Sequence, residues 1–304
     1  MRRPALLLLA ATAIAAPSAQ AAYPGANGKL VFFQQEVGGV DPVGLAVSDA
    51  DGRNQNLEPL GPACGGEGSG APGACPEDPI WSPDGTRIAF GLGGTVATMK
   101  PDGTDVRRLA LTGFTRVTSP AWSPDGAHIA FSALRGKVRN VYVTNVAAAG
   151  PVVSLTKTGG GSPAWSVRGE IAFTRRDQVL RMPATGGKAR RLTTRGGSAP
   201  TWSPDGEALA FVRSVRLKRK SRRRTPVLFR LRRDGRRLKR LTRSYSADPS
   251  WTPAGTAVLF HDSDSFNLTI RSVPANGGKN RLVTSGEEGR RVAALEPDQQ
   301  PLPR

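Results

Sequence analysis

Every tryptophan of this chain occupies the same place in a repeated motif, and that regularity limits the folds open to it more than any other feature. The motif runs Pro-x-Trp-(Ser/Thr), then a turn, then a short apolar stretch ending in Phe. Its copies are PIWSPDGTRIAF (79–90), PAWSPDGAHIAF (120–131), PAWSVRGEIAF (163–173), PTWSPDGEALAF (200–211) and PSWTPAGTAVLF (249–260). Trp81, Trp122, Trp165, Trp202 and Trp251 follow one another at intervals of 41, 43, 37 and 49 residues. A period near 40 made of short strands and turns is the mark of radially stacked β-sheet blades.

Each copy continues into a second half, as in VATMKPDGTDVRRLALT (96–112) and LFRLRRDGRRLKRLT (228–242). Asp102-Gly103, Asp234-Gly235 and Asn276-Gly277 read as hairpin turns, because glycine accepts the positive φ such turns require. One unit is then four short antiparallel strands, which cannot bury both faces alone and must stack on its neighbours. The expectation is an all-β, six-bladed propeller of four-stranded antiparallel blades. Blades are placed at about 28–60, 79–112, 120–157, 163–194, 200–243 and 249–285. The first lacks a P-x-W-S strand. Glu296–Pro301 looks like a worn copy of it, with Gln299 in the tryptophan position, so the C-terminal strand is expected to pair with Lys29–Phe32 and close the ring. Closure removes two sheet edges that would otherwise invite aggregation. The tryptophans and Phe90, Phe131, Phe173, Phe211 and Phe260 are expected between blades, as core.

The W-S-P-D-G-x-x-I-A-F units resemble TolB-type propeller repeats, found in bacterial envelope proteins and in the propellers of prolyl-oligopeptidase-like peptidases. The resemblance extends over about residues 28–301. It implies the propeller fold. TolB itself carries an additional N-terminal α/β domain. Here only Ala22–Asn27 separate the leader-like segment from the first blade, so a propeller without that domain is expected.

Residues 1–21 read as a secretory leader: Arg2-Arg3, an apolar run from Ala5 to Ala16, and an Ala19-Gln20-Ala21 cleavage site. The apolar run is short for a membrane span. An exported protein, periplasmic or extracellular after cleavage at about Ala21, is expected, with 22–304 as one propeller domain and the chain a monomer. Cys64 and Cys75 flank a glycine-rich loop and are expected to form a disulfide in an oxidising compartment.

The formal net charge of +19 is concentrated. Between Arg213 and Arg243 lie sixteen Lys and Arg residues and one acid, Asp234. The densest part holds Arg216, Lys218, Arg219, Lys220, Arg222, Arg223 and Arg224, in a connection from second to third strand that is longer than its counterpart at Arg175–Gln178. This insert is either a solvated loop, a polyanion-binding site or a protein-partner site. Such a cluster attracts anions, but no aromatic residue interleaves with it, so no stacking platform for single-stranded nucleic acid is expected. In a four-stranded blade this loop and the blade-to-blade link carrying Cys64 and Cys75 share one face of the ring, the candidate interaction surface.

Chemistry-bearing motifs are scarce. Two histidines, His128 and His261, cannot supply a three-histidine metal site. No G-x-S-x-G elbow appears. His261-Asp262-Ser263-Asp264-Ser265 lacks the spacing of a calcium loop, and adjacent residues in one loop rarely form a working triad. No catalytic, cofactor or metal residue is assigned. The reading is an exported, non-enzymatic binding or scaffold protein of the bacterial envelope, whose partner is an envelope protein or an anionic polymer. The alternative is a propeller hydrolase or lyase with a polar site in the channel. Carboxylates lining the channel would favour that alternative.

Overall fold

The computed structural model describes residues 26–36, 44–51, 56–62, 75–147, 150–217, 222–264, 267–284 and 292–302. The leader at 1–21, Cys64, Lys218, Arg219 and Lys220 lie outside them. Among the described residues no helix is long and apolar enough to cross a membrane.

The protein is an all-β propeller of four-stranded antiparallel blades. Five sheets each take four consecutive strands. The first contains β4 (Glu77–Trp81), β5 (Ile88–Leu92), β6 (Thr95–Met99) and β7 (Arg107–Arg108). Next come β8 (Thr115–Trp122), β9 (His128–Arg135), β10 (Val138–Asn145) and β11 (Val153–Ser154), then β12 (Gly161–Trp165), β13 (Glu170–Arg175), β14 (Gln178–Pro183) and β15 (Arg190–Arg191). The last two are β16 (Ser198–Trp202), β17 (Ala208–Val215), β18 (Thr225–Arg232) and β19 (Lys239–Arg240), and β20 (Ala247–Trp251), β21 (Ala257–Asp264), β22 (Asn267–Pro274) and β23 (Arg281–Thr284).

The contiguous blades therefore number five, one for each copy of the tryptophan motif, against the six blades expected in all. The remaining sheet is composite: β24 (Val292–Leu302) from the end of the chain lies beside β1 (Ala26–Glu36), β2 (Gly44–Ser48) and β3 (Asn56–Leu60). β24 pairs antiparallel with β1, from Ala26 opposite Leu302 to Glu36 opposite Val292. This pairing is longer than the Glu296–Pro301 segment expected. The innermost strand of this sheet is β24, which packs against both β20 and β4.

The repeat residues form the core between sheets. Phe90, Phe131, Phe173, Phe211, Phe260 and Trp81 are fully buried, and Trp122, Trp202 and Trp251 nearly so. Trp251, Val258 and Phe260 pack on Leu228 and Leu241 of the preceding blade, and Trp202, Leu209 and Phe211 on Ala172 and Val179. Trp165 is the exception and is only half-buried. The Pro-Asp-Gly turns are tied by side chains: Ser82 Oγ donates to Asp84 at 2.6 Å and accepts from the Arg87 amide at 2.9 Å. Gly206, at φ 68°, comes so close to Ser166 and Val167 of the neighbouring blade that a Cβ there would lie 2.8 Å from Ser166 Oγ.

Candidate functional site

The innermost strands share an irregularity that shapes the channel. Asp78, Ser119, Ser162, Ala199 and Asp248 each precede the motif proline, and all five have φ between 46° and 53°. At each position the pairing with the second strand slips by one residue, as between Glu77/Ile80 and Ala247/Ser250. Proline brings no N–H to the ladder and fits a bulge. The residue before it is barred from the right-handed helical region. Left-handed backbone at a non-glycine residue costs about 1–3 kcal/mol, so five such residues in register mark a conformation the surrounding packing enforces.

The bulge turns the pre-proline amide out of its own sheet and toward the preceding blade. The Ser119 amide donates to Asp78 Oδ2 at 2.7 Å, with the Ser119 hydroxyl on the same oxygen at 3.1 Å. The Ser162 amide donates to Ser132 Oγ at 2.8 Å. Tryptophan indoles add a second inter-blade bond: Trp122 Nε1 donates to the Ile80 carbonyl, Trp202 Nε1 to Ala164 and Trp251 Nε1 to Thr201, at 3.2–3.4 Å. At the closing seam Trp81 Nε1 is buried without a hydrogen-bond partner. There the bond is made by a side chain instead: Asp298 Oδ2 accepts from the Trp81 amide at 2.8 Å, while its Oδ1 accepts from Ser250 Oγ at 2.7 Å. Asp298 therefore links β24 to the strands on both sides.

These strands line a channel cavity of about 200 Å³ whose wall includes Asp78, Asp248 and Asp298. Three consecutive inner strands, β20, β24 and β4, thus present carboxylates. The facing strands contribute Ser119, Ser162 and Ala199. Burial, reinforced by the charges of Asp248 and Glu77, pushes the Asp78 carboxyl above its ordinary value against the lowering effect of the Ser119 hydrogen bonds. Asp248 Oδ2 lies 2.8 Å from Nδ1 of the buried His261, whose ring is 5.3 Å from that of Tyr245. Among the described residues no group of three or more His, Cys, Asp or Glu is arranged to hold a metal ion.

His261 therefore pairs across to Asp248 rather than with its sequence neighbours. Asp262 is engaged by Arg271 at 2.8 Å, and the side chains of Ser263, Asp264 and Ser265 lie outside the description. His128 is half-buried, with its ring 6.5 Å from Trp165. The channel aspartates escape a motif that begins at its proline. Asp78-Pro79, Asp248-Pro249 and Pro297-Asp298 stand in the repeat columns immediately before and after that proline, so aligning one residue further back exposes the first two. A second missed group is Glu170, which is buried and receives Arg181 and, at 2.7 Å, Arg233 from the turn of the next blade.

Of the basic insert, Arg216, Arg222, Arg223 and Arg224 are described and exposed. They flank the end of β17 and the start of β18, and Arg224 donates to the Ser214 carbonyl at 3.2 Å. No carboxylate pairs with Arg216 or Arg222 among the described residues. Arg213, at the base of the hairpin, lies over the Phe211 and Phe229 rings and donates to the Gly196 carbonyl at 3.0 Å. Cys75 is half-buried just before β4.

The profile of the TolB beta propeller domain matches residues 25–284. The chain belongs to the TolB β-propeller family. TolB from Acinetobacter baumannii superposes with a TM-score of 0.72 at 18% identity, covering 90% of this chain and 67% of that one. A putative TolB from Agrobacterium tumefaciens gives 0.63 at 18% identity, covering 91% of this chain and all of that one. An oligogalacturonate lyase in complex with manganese gives 0.55 at 12% identity over 81% of this chain and 71% of that one. At these identities the superpositions show a shared fold. No curated protein matches the chain at the level of sequence.

Proposed function

We propose that this TolB-family propeller is an exported, non-enzymatic binding protein of the bacterial cell envelope, acting through the face that bears the basic insert. The composite sheet serves as its sixth blade, and residues 22–304 form the mature domain. The observation that carries the reading is the segregation of charge: sixteen cationic residues against one acid between Arg213 and Arg243, in a chain whose channel is lined by aspartates. Arg216, Lys218, Arg219, Lys220, Arg222, Arg223 and Arg224 provide a polyanion-binding loop on a rigid hairpin. A Cys64–Cys75 disulfide braces the neighbouring link on the same face.

The channel carboxylates favour a second reading, a hydrolase or lyase, since a perturbed carboxyl in a cavity is a candidate acid. Their hydrogen bonds support the first reading. Asp78 is bonded to Ser119, Asp248 to His261, and Asp298 to Trp81 and Ser250. Asp78 and Asp298 hold blades together, and Asp248 ties the first two strands of its own blade. Replacing the seven loop residues by Ser and Gly separates the readings. The variant should melt with the wild type yet lose its retention on a heparin column and its salt-sensitive capture of anionic envelope polymer. A variant that elutes at the wild-type salt concentration would refute the loop assignment.

A further inference from the structure

An open groove of about 780 Å³ runs along the flank of the ring between the outer strand of one blade and the hairpin turn of the next. One wall is Lys239 to Ser244, including β19, and the other is Asn276 to Asn280. Lys239, Arg240, Arg243 and Lys279 line it, all exposed, and no Asp or Glu does. Among the described residues none of the four has a carboxylate partner. Other arginines near blade turns are neutralised: Arg87 and Arg107 meet Asp105, Arg168 meets Glu207, and Arg181 and Arg233 meet Glu170.

The groove has a fixed shape. Leu241 at its floor is buried in the core beneath Trp251 and Val273. Arg240 is held by its Nε bond to the Thr242 carbonyl at 2.6 Å, which leaves the terminal nitrogens of its guanidinium available. Asn276 is held by Arg230 at 2.9 Å. The turn opposite is Gly277-Gly278, at φ 77° and 147°, and a Cβ on Gly277 would come within 3.5 Å of Lys239 Cε. Four like charges gathered without a counterion repel one another, and an anion that bridges them relieves that repulsion. The volume is that of a small-molecule site.

We infer that this flank groove binds a compact, multiply phosphorylated small molecule, with Lys239, Arg243 and Lys279 as its principal charge contacts. The groove is separate from the basic insert: it lies between the outer strand β19, with the link that follows it, and the third-to-fourth-strand turn of the next blade, whereas the insert joins the second strand to the third. The inference therefore stands whether or not the insert binds a polymer.

Inorganic tripolyphosphate is the probe, titrated calorimetrically into the full chain at low salt. The variant K239S/R243S/K279S should lose affinity about tenfold, the combined effect of three exposed charge contacts. The variant K188S/R190S/R191S removes equal charge around the outer strand β15 and should bind within about twofold of wild type. The seven-residue insert variant should also retain binding. In the wild type, tripolyphosphate should slow acetylation of Lys239 and Lys279 relative to Lys188, a readout that needs no variant to fold. Failure of the wild type to bind, undiminished binding by the groove variant, or equal loss in the β15 variant would overturn the proposal. Loss confined to the insert variant would overturn it too, while leaving the insert reading intact.

Discussion

Truncating Asp298 to alanine removes the side chain that fastens the composite sheet to both its neighbours. Its two bonds, from the Trp81 amide at 2.8 Å and from Ser250 Oγ at 2.7 Å, are charge-assisted and span 217 and 48 residues of sequence. Hydrogen bonds to a charged group contribute about 1.5–3 kcal/mol each, and a buried amide left without an acceptor costs about 1–3 kcal/mol. The bond from the Trp81 amide is buried, so water does not readily replace the lost acceptor. The net loss expected for D298A is about 3 kcal/mol, or about 5–10 °C in Tm for a domain of this size. D298N keeps one oxygen for the Trp81 amide and offers an N–H to Ser250 Oγ, so it should lose about 1 kcal/mol. Urea unfolding followed by tryptophan fluorescence reads both values. The midpoint should fall in a single cooperative transition, because an open seam exposes edges on both sides of the ring. If D298A stays within about 0.5 kcal/mol of wild type, or D298N proves as damaging, the bridge between blades is not what that aspartate supplies.

Three further outcomes follow from the same geometry. Replacing Glu170 by alanine strands Arg181 and Arg233 at an inter-blade contact and should destabilise by about 3 kcal/mol, measured by urea unfolding. For Asp78, burial raises the folded carboxyl above the model-peptide value of 3.8. Its contribution is thus present below 3.8 and lost as pH rises through the raised folded value, so D78N should flatten wild-type Tm against pH in that window. Asp105 is the opposite case: hydrogen bonds from Arg107 and Arg87 hold it down to about 2. The stability it contributes is present above 3.8 and lost as pH falls toward 2, and R87M should shrink that acid step, leaving the part due to Arg107, in melts recorded across it.

The fold was legible because the blade repeats its chemistry. Trp81 and Phe90 recur as a pair eight or nine residues apart in every copy, and Gly103, Gly235 and Gly277 take the positive φ that their hairpins require. The closing strand was legible only in outline. Gln299 and Asp298 retain the spacing of a motif whose tryptophan is gone, yet β24 runs from Val292 to Leu302, beyond that remnant. Pairing length is set by how far β1 extends opposite it, which no local pattern encodes. The channel carboxylates were hidden for a different reason. A residue before proline reads as loop punctuation, and only the bulge geometry shows that Asp78 and Asp248 turn into the channel wall. The Glu170 contact with Arg233 joins residues 63 apart in sequence through the turn of the next blade, a proximity created by stacking alone. The concentration of positive charge between Arg213 and Arg243 was plain in the sequence. Its division between an insert on one face and a groove on the flank required the strand order.

The functional account rests on the basic insert binding polyanions, and the salt dependence of binding tests it most directly. Wild-type protein and the seven-residue insert variant would be titrated with a fluorescent heparin fragment across a range of salt concentrations, at constant pH. Counterion release makes the logarithm of the association constant fall linearly with the logarithm of salt concentration, with a slope near the number of cationic contacts. The account predicts a steep wild-type slope, of about 4 or more, that collapses in the variant while Tm is unchanged. A shallow wild-type slope, or the same slope in both proteins, would contradict it.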